Sequence, residues 1–157
     1  MNGIYPGSFD PPTKGHMDII ERSAALCKHL YIAVLINSSK KSLFTIPERV
    51  ELLKKITAHL DNVEIITFDG LLVDLFNKYD IDAIIKGLRA VSDYEYEIQM
   101  AQINRQFERR AETLFMMTNP RYSYLSSSIV KEFHRYGADI SPYVPLPVLE
   151  AMKEKKE

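Results

Sequence analysis

Short apolar runs alternate along this chain with longer segments whose apolar residues recur at helical spacing. The run at residues 30–36 is apolar at consecutive positions and rich in β-branched residues, which is typical of a strand covered on both faces. Similar runs predict further strands at 3–5, 63–68, 83–86 and 113–117. Since helical segments fall between them, the pattern predicts an α/β fold with a five-stranded parallel sheet and helices on both faces.

Amphipathic segments between these runs predict the helices. Residues 14–29 carry apolar side chains close to a 3.6-residue period. Thr45 and Glu48 have the spacing of a capping box, with Pro47 in the first turn, which predicts a helix that ends at His59. Further helices are predicted at 71–79, at 93–109, at 127–136 before Gly137, and from Pro147 onward.

The length of 157 residues suits one domain, and because neither a linker nor an internal repeat divides the chain, we assign residues 1–157 to it. Apolar residues make up 46% of the chain and charged residues 26%, the balance of a soluble globular protein. The formal net charge of −1 gives no reason to expect a nucleic-acid partner. The apolar run at 30–36 is too short to cross a bilayer, so we expect no membrane partner.

The cysteine content bears on the compartment. Cys27 is the only cysteine, which excludes an intrachain disulfide and favours a reducing, cytoplasmic location. Residues 1–10 lack the basic region and apolar stretch of a signal peptide, so we expect no export.

The loop after the first predicted strand, residues 6–16, holds groups suited to phosphate. Gly7 permits close backbone approach, and Ser8 supplies a hydroxyl. Gly15 and His16 begin a helix, where free N–H groups and the helix dipole favour an anion. The same dipole disfavours a charged His16. A plain proline-rich turn with a structural histidine is the alternative interpretation.

Three later strand–helix junctions carry similar groups. Lys40 follows the second strand, Lys86 and Arg89 flank the end of the fourth, and three serines at 126–128 open a helix. Each has an ordinary alternative: a solvated lysine, ion pairs with Asp or Glu, or simple helix capping. Because the carboxyl ends of parallel strands meet at one sheet edge, we expect these groups to share one phosphate-binding pocket.

The sequence offers no obvious covalent or metal chemistry. No acidic pair suits a general acid and base, and no Cys/His cluster has metal-ligand spacing, so we assign no metal-ligating residue. The expected chemistry is therefore positioning and charge stabilisation.

Four motifs together resemble those of bacterial phosphopantetheine adenylyltransferases, a family of the T/HxGH nucleotidyltransferase superfamily. They are Gly7–Pro11 with TKGH at 13–16, KGLRA at 86–90, YEYE at 94–97, and SSSIVK at 126–131. The motifs keep the family's order and spacing over nearly the whole chain. TxGH marks only the superfamily, whereas the second and third motifs together, and the fourth, make the resemblance specific.

The resemblance implies a Rossmann-like fold, a homohexamer and the small-molecule substrates ATP, used with Mg²⁺, and 4′-phosphopantetheine. The substrate phosphate would attack the α-phosphorus of ATP in line, giving dephospho-coenzyme A and pyrophosphate without a covalent enzyme intermediate. Fixed donors would stabilise the charge on the α-phosphate oxygens.

The resemblance also implies residue roles. His16 would stabilise the transition state, with Lys40 and Arg89 as further catalytic groups. The acceptor substrate would contact Ser8, Lys40, Leu72 and Lys86. The ATP site would comprise Ser8, Phe9 through its backbone, His16, Gly87, Leu88, Arg89, Glu97, Tyr122, Ser123, Tyr124, Leu125, Ser126, Ser127 and Ser128.

Two positions depart from the family pattern. Lys86 stands where arginine is usual, which keeps the charge but loses a planar fork, so phosphate orientation there would be looser. Ser8 replaces a common threonine and keeps the hydroxyl. One rival is a relative acting on another phosphate such as nicotinamide mononucleotide, although such relatives tend to have histidine in the place of Thr13. A second is a nucleotide-sensing module without catalysis.

Overall fold

The computed structural model describes residues 1–36 and 42–155. Five strands pair in parallel into one sheet: β1 (Asn2–Gly7), β2 (His29–Leu35), β3 (Val63–Phe68), β4 (Ala83–Leu88) and β5 (Glu112–Met117). Their order across the sheet is β3-β2-β1-β4-β5, and Ile4 of β1 is paired with both Tyr31 and Ile84. From β1 the chain adds β2 and β3 on one side, and it then crosses back to add β4 and β5 on the other side of β1. The carboxyl ends of the neighbouring strands β1 and β4 therefore form the topological switch point.

Six helices of four or more residues occur in the described ranges: α1 (Lys14–Leu26), α2 (Ile46–Thr57), α3 (Leu75–Tyr79), α4 (Val91–Phe107), α5 (Ser127–Arg135) and α6 (Leu146–Glu154). Single 3₁₀ turns lie at Leu72–Asp74 and Pro120–Tyr122. None of the helices in this part of the chain is both long enough and apolar enough to cross a membrane.

Both faces of the central strands β1, β2 and β4 are buried, whereas Leu114 and Met117 of the edge strand β5 are exposed. Successive residues of a strand enter opposite clusters: Ile4 and Ile84 face one, Tyr5 and Ile85 the other. The larger cluster also receives residues of α1, α2, α5 and α6, whereas α3 packs against the smaller one. The fold class, a single-domain parallel sheet with helices on both faces, is therefore confirmed.

Local capping explains where the helices begin. Thr45 and Glu48 form the predicted capping box, in which Oε2 of Glu48 accepts from the Thr45 backbone at 2.7 Å. The α5 helix is followed by Gly137 with φ of 76°, as its predicted stop requires. The predicted helix at 14–29 is too long, because His29 already pairs with Asn2 in the sheet and α1 ends at Leu26.

Candidate functional site

A cavity of about 260 Å³ lies at the carboxyl ends of β1 and β4, at the switch point. It is bounded by residues of the loops after β1, β4 and β5 and of the first turns of α1 and α5. The residues that line it are Tyr5, Pro6, Ser8, Thr13, Gly15, His16, Ile19, Lys86, Gly87, Arg89, Glu97, Thr118, Tyr122, Leu125, Ser126 and Ser127. Three of the four strand–helix junctions that the sequence singled out therefore line one pocket.

His16 is the third residue of α1 and forms a capping box with Thr13. Its backbone N–H donates to Oγ1 of Thr13 at 3.3 Å, and its ring Nδ1 accepts from the backbone N–H of Thr13 at 3.0 Å. A ring nitrogen that accepts a hydrogen bond carries no proton, so the neutral ring must hold its proton on Nε2. The TxGH motif is therefore a helix cap that also fixes a histidine tautomer.

The charge of His16 is set by its surroundings. Burial, followed by the positive charge of Arg89, lowers the pKa of the ring to about 4. The edge of the ring also packs against Phe9, with the centroids 5.0 Å apart. His16 is therefore a neutral donor at physiological pH, and the main cause is desolvation rather than the helix dipole that the sequence suggested.

Arg89 reaches the cavity from the end of β4. Its Nε and Nη2 contact the two carboxylate oxygens of Asp93 at 3.0 and 3.3 Å, and Nη1 donates to the carbonyl of Leu125 at 3.0 Å. These three bonds fix the plane of the guanidinium and join the loop after β4 to the loop after β5. The orientation of this cation is thus set before any ligand binds.

Lys86 and Glu97 both line the cavity and form a partly buried ion pair. Nζ of Lys86 lies 3.2 Å from Oε2 of Glu97, yet this oxygen has no aligned hydrogen-bond donor among the described residues. The contact is therefore electrostatic, and the ammonium keeps donors for another anion. Lys86 can therefore pair with an acid and bind a phosphate at the same time, so the geometry accommodates both alternatives.

The serine-rich turn enters the cavity at the start of α5. Ser126 caps the helix by accepting from the backbone of Ile129 at 3.2 Å, and Oγ of Ser127 donates to the carbonyl of Pro11 at 2.7 Å. The first turns of α1 and α5 therefore meet at the cavity, which Gly15 and Ser127 line. Two helix N-termini favour an anionic ligand such as a phosphate chain.

Several predicted site residues lie outside the cavity lining. The side chains of Phe9 and Leu88 are buried in the core, while Ser123, Tyr124 and Ser128 are exposed beside the pocket. Leu72 is half-buried on the other face of the sheet, against the smaller cluster. Lys40 lies outside the described residues.

Other cavity residues were not predicted. Tyr5 and Thr118 stand at the carboxyl ends of β1 and β5, the positions that the strand-end rule could have identified. Burial raises the pKa of the Tyr5 phenol above its usual range, so it remains a neutral hydroxyl in the pocket.

Comparisons with known proteins show which proteins this chain is similar to. A phosphopantetheine adenylyltransferase of Caldanaerobacter subterraneus subsp. tengcongensis is 55% identical over 152 residues, which cover 97% of this chain and 95% of the relative. The enzyme of that name from Clostridium perfringens strain SM101 is 50% identical, with 98% and 93% covered. That from Clostridium botulinum strain Alaska E43 is 53% identical, with 93% and 92% covered.

The chain belongs to the phosphopantetheine adenylyltransferase family. The broader cytidylyltransferase-like family model matches residues 4–133, a span that includes α1, the Arg89 loop and most of α5. Among solved structures, one described as a nicotinate-nucleotide adenylyltransferase from Vibrio parahaemolyticus matches with a TM-score of 0.73 at 19% identity, covering 98% of this chain and 91% of the other. That likeness shows the fold, which family members share with other Rossmann-like nucleotidyltransferases.

Proposed function

We propose that this chain transfers the adenylyl group of ATP to 4′-phosphopantetheine, giving dephospho-coenzyme A and pyrophosphate. The observation that carries the proposal is the convergence of His16, Lys86, Arg89 and the first turns of α1 and α5 on one cavity. This convergence occurs in a chain that is 50–55% identical to proteins named for that reaction. The function is that of an enzyme, a nucleotidyltransferase of coenzyme A biosynthesis.

The cavity residues suit in-line attack without a covalent intermediate. The acceptor phosphate is itself the nucleophile, so the protein has to orient two anions and stabilise the charge that develops on the α-phosphate. His16 offers a neutral Nε2–H donor whose tautomer is fixed by Thr13. Arg89 offers a guanidinium held in place by Asp93. Such fixed donors favour the transition state because they need no reorganisation.

We assign the two substrates to opposite sides of the cavity. ATP lies against Arg89, Glu97 and the serine-rich turn, with its phosphates toward the first turns of α1 and α5. Phosphopantetheine lies toward Ser8 and Lys86, with Lys40 binding its attacking phosphate. Leu72, which lies outside the cavity lining, would contact the pantetheine arm through its backbone. These assignments extend the roles implied by the family resemblance.

We propose that magnesium enters as a complex with ATP. Mg²⁺ binds nucleotide phosphates together with few protein carboxylates and keeps several waters. The donor set fits this mode: the described residues hold no cluster of three or more metal-ligating side chains, and the acids nearest the pocket are paired with cations. Glu97, which is partly buried and has an oxygen without an aligned donor, is the carboxylate of the described cavity lining that such a complex would meet.

We further propose a homohexamer in the cytoplasm. Ile129, Phe133 and Tyr136 follow one face of α5 at helical spacing, and their exposed fractions are 42%, 52% and 75%. A second copy of this chain would cover that apolar face. Multi-angle light scattering should give six times the chain mass of 18.1 kDa. A monomer at micromolar concentration would contradict the hexamer but would not bear on the proposed catalytic activity.

The decisive experiment is an acceptor panel scored by pyrophosphate release. Purified protein with ATP and Mg²⁺ is offered phosphopantetheine, nicotinamide mononucleotide, nicotinate mononucleotide and glycerol phosphate, with CTP as a second nucleotide. We expect pyrophosphate release only when phosphopantetheine is combined with ATP, and none with the other acceptors or with CTP. Turnover of a mononucleotide but not of phosphopantetheine would replace this function by that of the rival nucleotidyltransferases. ATP binding with no release on any acceptor would favour a nucleotide-sensing module.

A further inference from the structure

Asp18, on α1, holds the chain at the point where it leaves β5. Its Oδ2 accepts from the backbone N–H of Asn119 at 3.2 Å and from Nη1 of Arg22 at 3.0 Å. The same Nη1 donates to the carbonyl of Met117 at 2.8 Å. One carboxylate oxygen and one guanidinium nitrogen thus bind the backbone on both sides of Thr118, which lines the cavity.

The contact with Asn119 does more than stabilise α1. Asp18 and Arg22 lie four positions apart on the helix, and a pair of this kind by itself contributes little to stability. Asn119, in contrast, lies 101 positions away in sequence. The carboxylate therefore joins α1 to a separate segment of the cavity wall.

Local hydrogen bonds extend this anchor along the segment 119–125. Oδ1 of Asn119 accepts from the backbone N–H of Arg121 at 3.0 Å, and its carbonyl accepts from that of Tyr122 at 2.8 Å. The carbonyl of Tyr122 accepts in turn from the backbone N–H of Leu125 at 2.9 Å. Tyr122 and Leu125 line the cavity. The position of Asn119 therefore sets the position of the wall that follows it.

Arg89 anchors the other end of this segment. Its Nη1 donates to the carbonyl of Leu125 at 3.0 Å. The segment 119–125 is therefore held at its first residue by α1, through Asp18, and at its last residue by the loop after β4. Without the first anchor it is fixed at one end only, so it can adopt positions that do not complete the cavity.

We propose that Asp18 is a positioning residue for ATP, acting through the segment 119–125. The inference rests on the proposed function, in which residues 122–125 belong to the ATP site and no residue assigned to the acceptor lies in this segment. Ser8, which is assigned to both substrates, is held by Arg49, whose guanidinium donates to the Ser8 carbonyl at 3.2 Å. A change at Asp18 should therefore weaken ATP binding more than acceptor binding. Asp18 itself lies outside the cavity lining.

Two substitutions separate the hydrogen bonds of Asp18 from its charge. Asp18→Asn loses the charge but can place its amide oxygen where Oδ2 lies, so both hydrogen bonds to that oxygen persist. Asp18→Ala loses the acceptor as well, and alanine suits a helix. If the segment 119–125 then occupies its binding position for about a tenth of the time, the apparent Kd for ATP rises about tenfold.

The test measures the Kd for ATP with Mg²⁺ by isothermal titration calorimetry without an acceptor, followed by steady-state kinetics with ATP and phosphopantetheine varied independently. For Asp18→Ala we expect the Kd for ATP to rise about tenfold, whereas Asp18→Asn should stay within about twofold of the wild type. KM for phosphopantetheine and turnover at saturating ATP should change less than about threefold in both variants, because the bond between Thr13 and His16 remains.

Glu112→Ala is the matched control. Glu112 lies at the start of β5, at the opposite end of the strand from Met117, and its Oε2 contacts Nη1 of Arg105 at 3.0 Å, the distance also found in the Asp18 pair. Its loss removes a carboxylate–arginine pair from the same strand and leaves the segment 119–125 in place. We expect the wild-type Kd for ATP and the wild-type KM for phosphopantetheine.

Three results would overturn the positioning role. They are a wild-type Kd for ATP in Asp18→Ala, the same Kd in Asp18→Ala and Asp18→Asn, and equal rises for ATP and phosphopantetheine. If Asp18→Ala does not fold, Arg22→Met decides, because it removes the bond to the carbonyl of Met117. We expect its Kd for ATP to rise at least threefold, and an unchanged Kd overturns the proposal.

The proposed function is tested separately by the wild-type protein. If the wild type binds ATP but uses another acceptor, the choice of phosphopantetheine is wrong, and the comparison of Kd values still decides the role of Asp18. If the wild type binds no ATP, both the proposed function and the positioning role are overturned.

Discussion

The backbone N–H of Thr13 lies 3.0 Å from Nδ1 of His16 and donates to it. This single bond gives the TxGH motif a physical meaning, because it caps α1 and at the same time leaves the ring proton on Nε2. Thr13 is thus needed for the Nε2–H donor of His16, because its backbone N–H fixes the tautomer of the ring. Gly15, between them, lines the cavity and lets a ligand approach the first turn of α1.

His16→Ala should lower the turnover number by about 10²–10³, the usual cost of one transition-state donor. KM for ATP should change little, because the donor acts on charge that develops during the reaction. His59→Ala is the control: His59 is exposed and contacts only Glu21 at 3.2 Å among the described residues. Steady-state kinetics of both variants measure the effect. Unchanged turnover in His16→Ala would remove His16 from the mechanism.

The lowered pKa of His16 should make stability depend on pH. An unperturbed histidine has a pKa of 6.5, whereas His16 has one of about 4, so below 6.5 the unfolded chain binds the proton more readily than the folded one. Stability is therefore lost as the pH falls through this window. His16→Gln keeps a side chain that can complete the capping box but removes the titration. Its melting temperature should fall less between about pH 7 and pH 5 than that of the wild type.

The remaining histidines serve as the internal reference for this measurement, since they are present in both proteins. The difference between wild type and His16→Gln in the slope of melting temperature against pH is the contribution of His16 alone. Parallel melting curves over the whole window would mean that the ring is not protected from protonation in the folded state.

The fold could be predicted because its signals are local. Each strand contains a short, largely apolar run, and Thr45 and Glu48 lie three positions apart in sequence, so five strands and the start of α2 follow from the pattern. The end of α1 could not be predicted in this way. It depends on the pairing of His29 with Asn2, a contact that no sequence window contains.

The same distinction divides the site. The strand-end rule placed Ser8, Lys86 and Arg89 on one cavity because it needs only the order of the strands. Asp10 belongs to the motif at 7–11, but its hydrogen bonds to Leu43, Phe44 and Lys131 could not be predicted because these partners lie 33, 34 and 121 positions away.

Arg89→Lys should weaken ATP binding although it conserves the charge. Lysine cannot reproduce the fork on Asp93 together with the bond to the carbonyl of Leu125, so the cation loses its fixed orientation. We expect KM for ATP to rise about tenfold, which corresponds to about 1.4 kcal/mol. Arg105→Lys, in an exposed pair with Glu112, is the control and should leave KM unchanged. A wild-type KM in Arg89→Lys would show that charge alone suffices at this position.

Gly87→Ala should disturb the site through packing. A Cβ on Gly87 would lie 3.0 Å from Cγ1 of Ile19, so this buried side chain of α1, the helix that carries His16, must shift by a few tenths of an ångström. Overpacking of this kind costs about 1–3 kcal/mol of the free energy of unfolding, and displacement of His16 should lower turnover as well. Both are measured, by denaturant unfolding and by initial rates.

Ile19→Ala supplies the control for this packing argument, because it removes the atom that the new methyl group meets. The variant alone leaves a cavity in the larger core cluster and is destabilised. In that background Gly87→Ala should cost less stability than in the wild type, since this side chain no longer has to shift. Additive costs in the double variant would show that the glycine is needed for some reason other than the close approach of α1 to β4.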